Sequence, residues 1–199
     1  MSALQSAAVA LFLLATPARA GDPAAAWTRL KSLVGTWQRE DASTPGSKAF
    51  RIRYRLISAD AALVEEFGDP ARQVTQTVFH LDGERVLATH YCAQGNQPRL
   101  RLRTTAASDT LVFEFLDATN LEHATDSHLV RLTLRWRDAD HLVREEVYAA
   151  NGREEVGTLL LERPRRGLCG PWARVGPAAA SSSASERASA SARDARPDR

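Results

Sequence analysis

The sequence contains only two cysteines, Cys92 and Cys169, too few for a disulfide-dense scaffold or a cysteine-based zinc module. Lysine is nearly absent, with Lys31 and Lys48 the only two among 26 basic residues. Together with the abundant alanine, that arginine skew reads as compositional bias rather than phosphate recognition. Charge of one sign is lacking where a domain would sit. Of the net +2, Arg19 supplies +1, and residues 171–199 supply +2 through five arginines against Glu186, Asp194 and Asp198. Residues 21–170 are left at −1, with no electrostatic footprint for nucleic acid or an anionic membrane. The apolar run from Ala7 to Ala15 is shorter than the roughly 20 residues of a bilayer span, and no later segment is apolar enough for one. There is no P-loop, G-x-S-x-G, H-E-x-x-H, C-x-x-C or G-x-G-x-x-G.

What is present divides the chain into three. Residues 1–20 carry the Ala7–Ala15 run and end in Ala18-Arg19-Ala20, the small-x-small pattern of a signal-peptidase site. The segment departs from the usual signal peptide in lacking Lys or Arg ahead of the apolar run. No cysteine follows the site, so no lipid anchor is expected. The expectation is a mature chain starting at Gly21, exported to the periplasm or secreted. After Leu168 the composition collapses into Ala, Ser, Arg and Pro, which buries too little apolar surface to offset its ordering entropy. Residues 171–199 are expected to be a disordered tail, leaving 21–170 as one domain.

Within that domain, residues 24–34 predict a short helix with Trp27, Leu30 and Val34 on one stripe. From Gly35 the period changes to two. In 48–58, Phe50, Ile52, Tyr54 and Leu56 alternate with Arg51, Arg53 and Arg55, the pattern of a strand with one wet face. Strands are also expected at 35–40, 62–67, 73–81, 84–92, 99–104, 110–116, 129–137, 141–149 and 153–162. Asp82-Gly83 and Asn151-Gly152 are two-residue hairpin signals. Many short strands without intervening helices, and none with proline in its interior, predict an all-β antiparallel up-and-down barrel of about eight to ten strands with a short N-terminal helix.

Tight turns set which residues share a face. Across Asn151-Gly152, Val147 opposes Val156 and Val143 opposes Leu160. An even-length turn at Ala139-Asp140 would pair Trp136 with Val143, turning Val143, Val147 and Glu145 inward; a three-residue Asp138–Asp140 loop would instead add a bulge and swing Glu145 out, and the even turn is the expectation carried forward. Around Asp82-Gly83, Phe79 and Ala88 draw His90 and Cys92 inward.

Gly35-Thr36-Trp37, at the head of the first strand, resembles the G-x-W signature of lipocalins, in which the tryptophan plugs one barrel end. More specifically, ALVEEF (62–67), VFHLDGERVLATHYCAQGNQPRLR (78–101) and DATN (117–120) resemble a group of exported bacterial lipocalin-like, or calycin-like, proteins of unassigned function. The resemblance spans roughly residues 27–162, and T-H-Y-C-x-x-G-N-Q-P is its strongest element. It implies a barrel and an exported address, and it marks Glu65, His90, Tyr91, Cys92, Asn96, Gln97 and Pro98. Where such relatives read His-x-His near the eighth strand, this chain reads His128-Leu129-Val130. A Cys92–Cys169 disulfide would resemble one common in lipocalins; a free Cys92 thiol in a T-H-Y-C site is the rival, and the two stay open.

The expected function is binding of a small hydrophobic or amphipathic molecule in the barrel, with Glu65, His90, Tyr91, Cys92, Asn96, Gln97, His128 and Glu145 as ligand-binding candidates. No cofactor is required by this reading. Two alternatives are a heme or metal site on His90 or His128, and acid–base chemistry by Glu65 or Glu145 near His90.

Overall fold

In the computed structural model, residues 22–41, 50–69, 72–103 and 109–164 are described, all within the unit Met1–Leu168. One helix, α1 (Pro23–Lys31), precedes ten strands: β1 (Gly35–Arg39), β2 (Arg51–Ile57), β3 (Ala62–Asp69), β4 (Arg72–Asp82), β5 (Arg85–Tyr91), β6 (Gln97–Leu102), β7 (Thr110–Thr119), β8 (His128–Trp136), β9 (His141–Ala150) and β10 (Arg153–Glu162). Each strand pairs antiparallel with the next, and β1 pairs with β10 to close an up-and-down barrel. Closure satisfies the edges that an open sheet would expose.

Helix α1 begins where Asp22 caps it, its carboxylate accepting the Ala24 N–H at 2.9 Å, with Pro23 supplying a preset φ at the first position. It ends at Lys31, three residues short of the expected 34, with Ser32 as its C-cap. Leu33, rather than Val34, completes the buried stripe with Trp27 and Leu30, and Val34 is exposed. The following turn aims Trp37 into the barrel end, where its indole N–H donates to the Leu33 carbonyl at 2.8 Å. The Arg163 guanidinium lies 4.3 Å above the Trp37 ring and donates to the Ser32 and Val34 carbonyls at 2.6 and 3.1 Å. Gly35 is required by this closure. Its φ is +127°, and a Cβ there would stand 2.8 Å from Arg163 Nη1.

Two hairpins differ from expectation in instructive ways. The β4–β5 turn is Gly83-Glu84, one residue later than expected, since Asp82 pairs with Arg85. That displacement moves the pairing by an even number, so the faces stay as expected: Phe79 opposes Ala88, and His90 points inward opposite Thr77. The β8–β9 connection overturns an expectation. The Asp138 carboxylate accepts the N–H groups of Asp140 and His141 at 2.8 and 2.9 Å, and Arg137 N–H reaches the His141 carbonyl at 2.9 Å. This makes a three-residue loop, Asp138-Ala139-Asp140, so Trp136 pairs with Leu142 and not Val143. Every side chain of β9 is therefore on the opposite face from the expected one. Leu142, Arg144, Glu146 and Tyr148 point inward; Val143, Glu145 and Val147 point outward.

The interior near α1 is solid. Trp37, Ile52, Leu63, Phe79, Leu100, Phe113, Leu132, Leu134, Leu142 and Leu161 are buried together, and Phe79 meets Phe113 edge-on with ring centres 5.4 Å apart. Burial of this apolar surface is the main stabilising term. Beyond this half the interior changes character.

Candidate functional site

Five strands send one or more polar side chains to a common point above the apolar core. Tyr54 comes from β2, Glu65 from β3, Thr77 from β4, His90 from β5, and Arg144, Glu146 and Tyr148 from β9. The cross-strand registers Tyr54–Glu65, Glu65–Thr77 and Thr77–His90 place four of them side by side on the inner face. Arg144 reaches Glu65 across the barrel lumen.

Glu65 is fully buried, and so effectively is Arg144, at 1 % exposure. Their contact is bidentate, Arg144 Nε to Glu65 Oε2 at 3.1 Å and Nη2 to Oε1 at 2.8 Å. The Tyr54 hydroxyl donates to Oε2 at 2.6 Å, and the Thr77 hydroxyl lies 3.1 Å from Oε1. Burial by itself would push the Glu65 carboxyl up. The Arg144 charge, with hydrogen bonds from Arg144 and Tyr54, outweighs it and holds the carboxyl below its ordinary range. Burial likewise pulls Arg144 down, but Glu65 and Glu146 more than compensate, and the guanidinium stays charged. Arg144 Nη2 also lies 3.0 Å from Glu146 Oε1, and its guanidinium sits 5.0 Å over the Phe67 ring.

From Glu65 a hydrogen-bonded chain runs outward. His90 Nδ1 is 2.9 Å from Thr77 Oγ1, and His90 Nε2 is 3.2 Å from the Tyr148 hydroxyl. His90 is buried; that burial, reinforced by the Arg144 charge, lowers its pKa against the pull of Glu146 and Glu65, so the ring is neutral near neutral pH. The proton order follows from Glu65. An ionised carboxylate only accepts, so the single Thr77 proton points to Oε1, and His90 Nδ1–H donates to Thr77. His90 Nε2 is then bare and accepts from Tyr148 O–H. Burial, the Glu146 charge and the neighbouring Cys92 raise the Tyr148 phenol well above its ordinary pKa, keeping that proton in place.

The network stands where the barrel stops being solid. Tyr54, Glu65, Thr77, His90 and Arg144 are buried, whereas Phe67, Thr75, Cys92, Glu146 and Tyr148 are only part-buried. Gly157, opposite Glu146 on the inner register of β10, is exposed, and a Cβ there would meet nothing within 4 Å. Among the described residues, the inner wall thus has open space at Gly157, opposite Glu146.

The sequence-predicted residues divide accordingly. Glu65 and His90 are brought together through Thr77, and Cys92 lies beside Tyr148, its thiol 3.6 Å from Gln94 Oε1. Tyr91 is 49 % exposed on the outer face. Asn96 and Gln97 shape the β5–β6 loop. The Asn96 side-chain amide donates to the Ser127 carbonyl at 2.8 Å and the Asn96 backbone carbonyl accepts from Cys92 N–H; the Gln97 amide donates to the Gly95 carbonyl and its side-chain oxygen accepts from Thr119. His128 sits opposite Ala149, one position out of step with the inward Leu129–Tyr148 pair, with Nδ1 2.7 Å from the Asp126 carbonyl oxygen and its ring 5.0 Å from Phe115. It does not join His90. Glu145 is on the outer face opposite Thr158, for the loop reason given above. Cys169 lies outside the described residues, as do the expected leader and tail.

Among the described residues, no group of three or more His, Cys, Asp or Glu is placed to hold a metal ion. A ligand to His90 Nε2, such as a heme iron, would have to displace the Tyr148 phenol. Glu65, with four donors on two oxygens and an arginine against it, is a fixed anion rather than a general base. Sequence reasoning missed Tyr54, Thr77, Arg144, Glu146 and Tyr148 as polar members of the site. The available signal was the alternation Leu142, Arg144, Glu146, Tyr148, which becomes inward only if the Asp138–Asp140 loop is odd. No family model matches the sequence, and no curated protein is significantly similar to it.

Proposed function

We propose that the protein is a ligand-binding barrel that admits a small apolar or amphipathic molecule into the open half of its interior. The carrying observation is a saturated ionic network, Tyr54–Glu65–Arg144 with Thr77 and His90, at the boundary between a solid core and an open wall. Burying a carboxylate and a guanidinium is no route to stability, since apolar residues of the same volume serve as well or better. The pair instead orients groups that face the open space. Phe67, with Phe50 edge-on at 4.7 Å, adds apolar wall at the same level. The leader-like residues 1–20 support export to the periplasm or beyond, and the middle segments support kinship with lipocalin-like exported proteins. No helix among the described residues is long and apolar enough to cross a membrane.

The test uses Gly157. Its backbone needs no special φ, and space surrounds it, so Gly157→Phe fills the open wall without displacing the core. Native mass spectrometry of the protein from its source is expected to show a co-purifying small molecule in the parent and none in Gly157→Phe, with melting temperatures alike. Equal retention by both would place the ligand elsewhere, and a parent without ligand that also fails to bind apolar probes would refute the reading.

A further inference from the structure

Resting on that binding reading, we infer that the molecule held by the barrel is a small amphipathic organic cation, a protonated amine that docks on Glu146 and the Tyr148 hydroxyl. Because Glu65 only accepts, each proton in the chain points inward: Thr77 to Glu65, His90 to Thr77, Tyr148 to His90. The last member therefore turns its lone pairs, and no proton, to the open space, with the Cys92 sulfur, whose own proton goes to Gln94, beside it. Glu146, whose side chain is 17 % exposed, offers a carboxylate. Thr75, the other hydroxyl at that level, turns to either role. A ligand that brings only acceptors would meet acceptors; one that brings N–H donors meets partners.

Charge on the inner face agrees. Arg144 is matched by Glu65 and Arg39 by a bidentate pair with Asp41 at 2.8 Å, while the exposed Arg153 and Glu155, opposite in sign, share the same face of β10 two positions apart. Glu146 shares only an already engaged guanidinium, so among the described residues one negative charge is left over next to the space beside Gly157. The Tyr148 ring, two residues along the same face of β9, adds aromatic wall beside that charge, and aromatic walls favour an alkylated cation further.

Isothermal titration of the full chain near neutral pH with octylammonium, octanoate and octanol tests this. Octylammonium is expected to bind at least about tenfold more tightly than octanoate. Glu146→Gln should remove most of that preference, read as the ratio of octylammonium to octanoate affinity. A nitrogen-15 spectrum, with the His90 signals assigned by their loss in His90→Gln, should show the Nδ1–H tautomer. Octanoate binding as tightly as octylammonium, an unchanged preference in Glu146→Gln, or an Nε2–H tautomer would overturn the inference while leaving a binding barrel. Binding of none of the three probes would overturn both.

Discussion

Replacing Arg144 with methionine removes the cation from a carboxylate with no access to water. Glu65 would keep Tyr54 and Thr77 as donors but lose two of its four hydrogen bonds and its only arginine. Breaking a buried pair from one side costs about 3–5 kcal/mol, which for a domain of this size is a fall in melting temperature of roughly 10 °C. The double variant Glu65→Leu with Arg144→Met has no stranded charge. Its cost reduces to the lost acceptor for Tyr54, about 1–3 kcal/mol, since Thr77 keeps His90 Nδ1 as a partner at 2.9 Å. Urea denaturation followed by tryptophan fluorescence reads both, and the double variant should be the more stable of the two. If Arg144→Met alone unfolds within about 1 kcal/mol of the parent, the pair is solvated and the network has no buried anchor. If the double variant is the less stable, the pair serves the fold and not the open wall, and the functional argument falls with it.

Acid should weaken the fold in two stages. His90 has a folded pKa below the ordinary 6.5, so the unfolded chain takes up its proton first, and stability present above about pH 6.5 declines as pH falls below it. Glu65, also held below its ordinary 4.5, adds a second loss as pH falls through that value towards its folded pKa. Melting curves for the parent and His90→Gln should diverge in slope only in the first window; parallel profiles would show that His90 is not buried neutral. Gly35→Ala should lower stability by about 1–3 kcal/mol through its positive φ and its approach to Arg163, and pairing it with Arg163→Ala should recover only the steric part. A wild-type melting temperature in Gly35→Ala would mean that the Trp37 end closes some other way.

Ten strands at the expected places, an N-terminal helix and a closed barrel were all legible from the chain alone, because a period of two and short turns are local properties. Phe50, Ile52, Tyr54 and Leu56 against Arg51, Arg53 and Arg55 need no tertiary information to identify an inner and an outer face. His90 was legible too, since an error in turn position by whole residue pairs leaves faces unchanged. Glu145 and Arg144 were not. One residue more or less in the Asp138–Asp140 loop exchanges them, and the hydrogen bonds of the Asp138 carboxylate, which make that loop odd, depend on a geometry that composition does not specify. Nor does any local pattern bring Arg144 to Glu65, 79 residues apart in sequence: only closure of the barrel puts β9 across the lumen from β3, and only there does an arginine on one strand decide which way the protons on the others point.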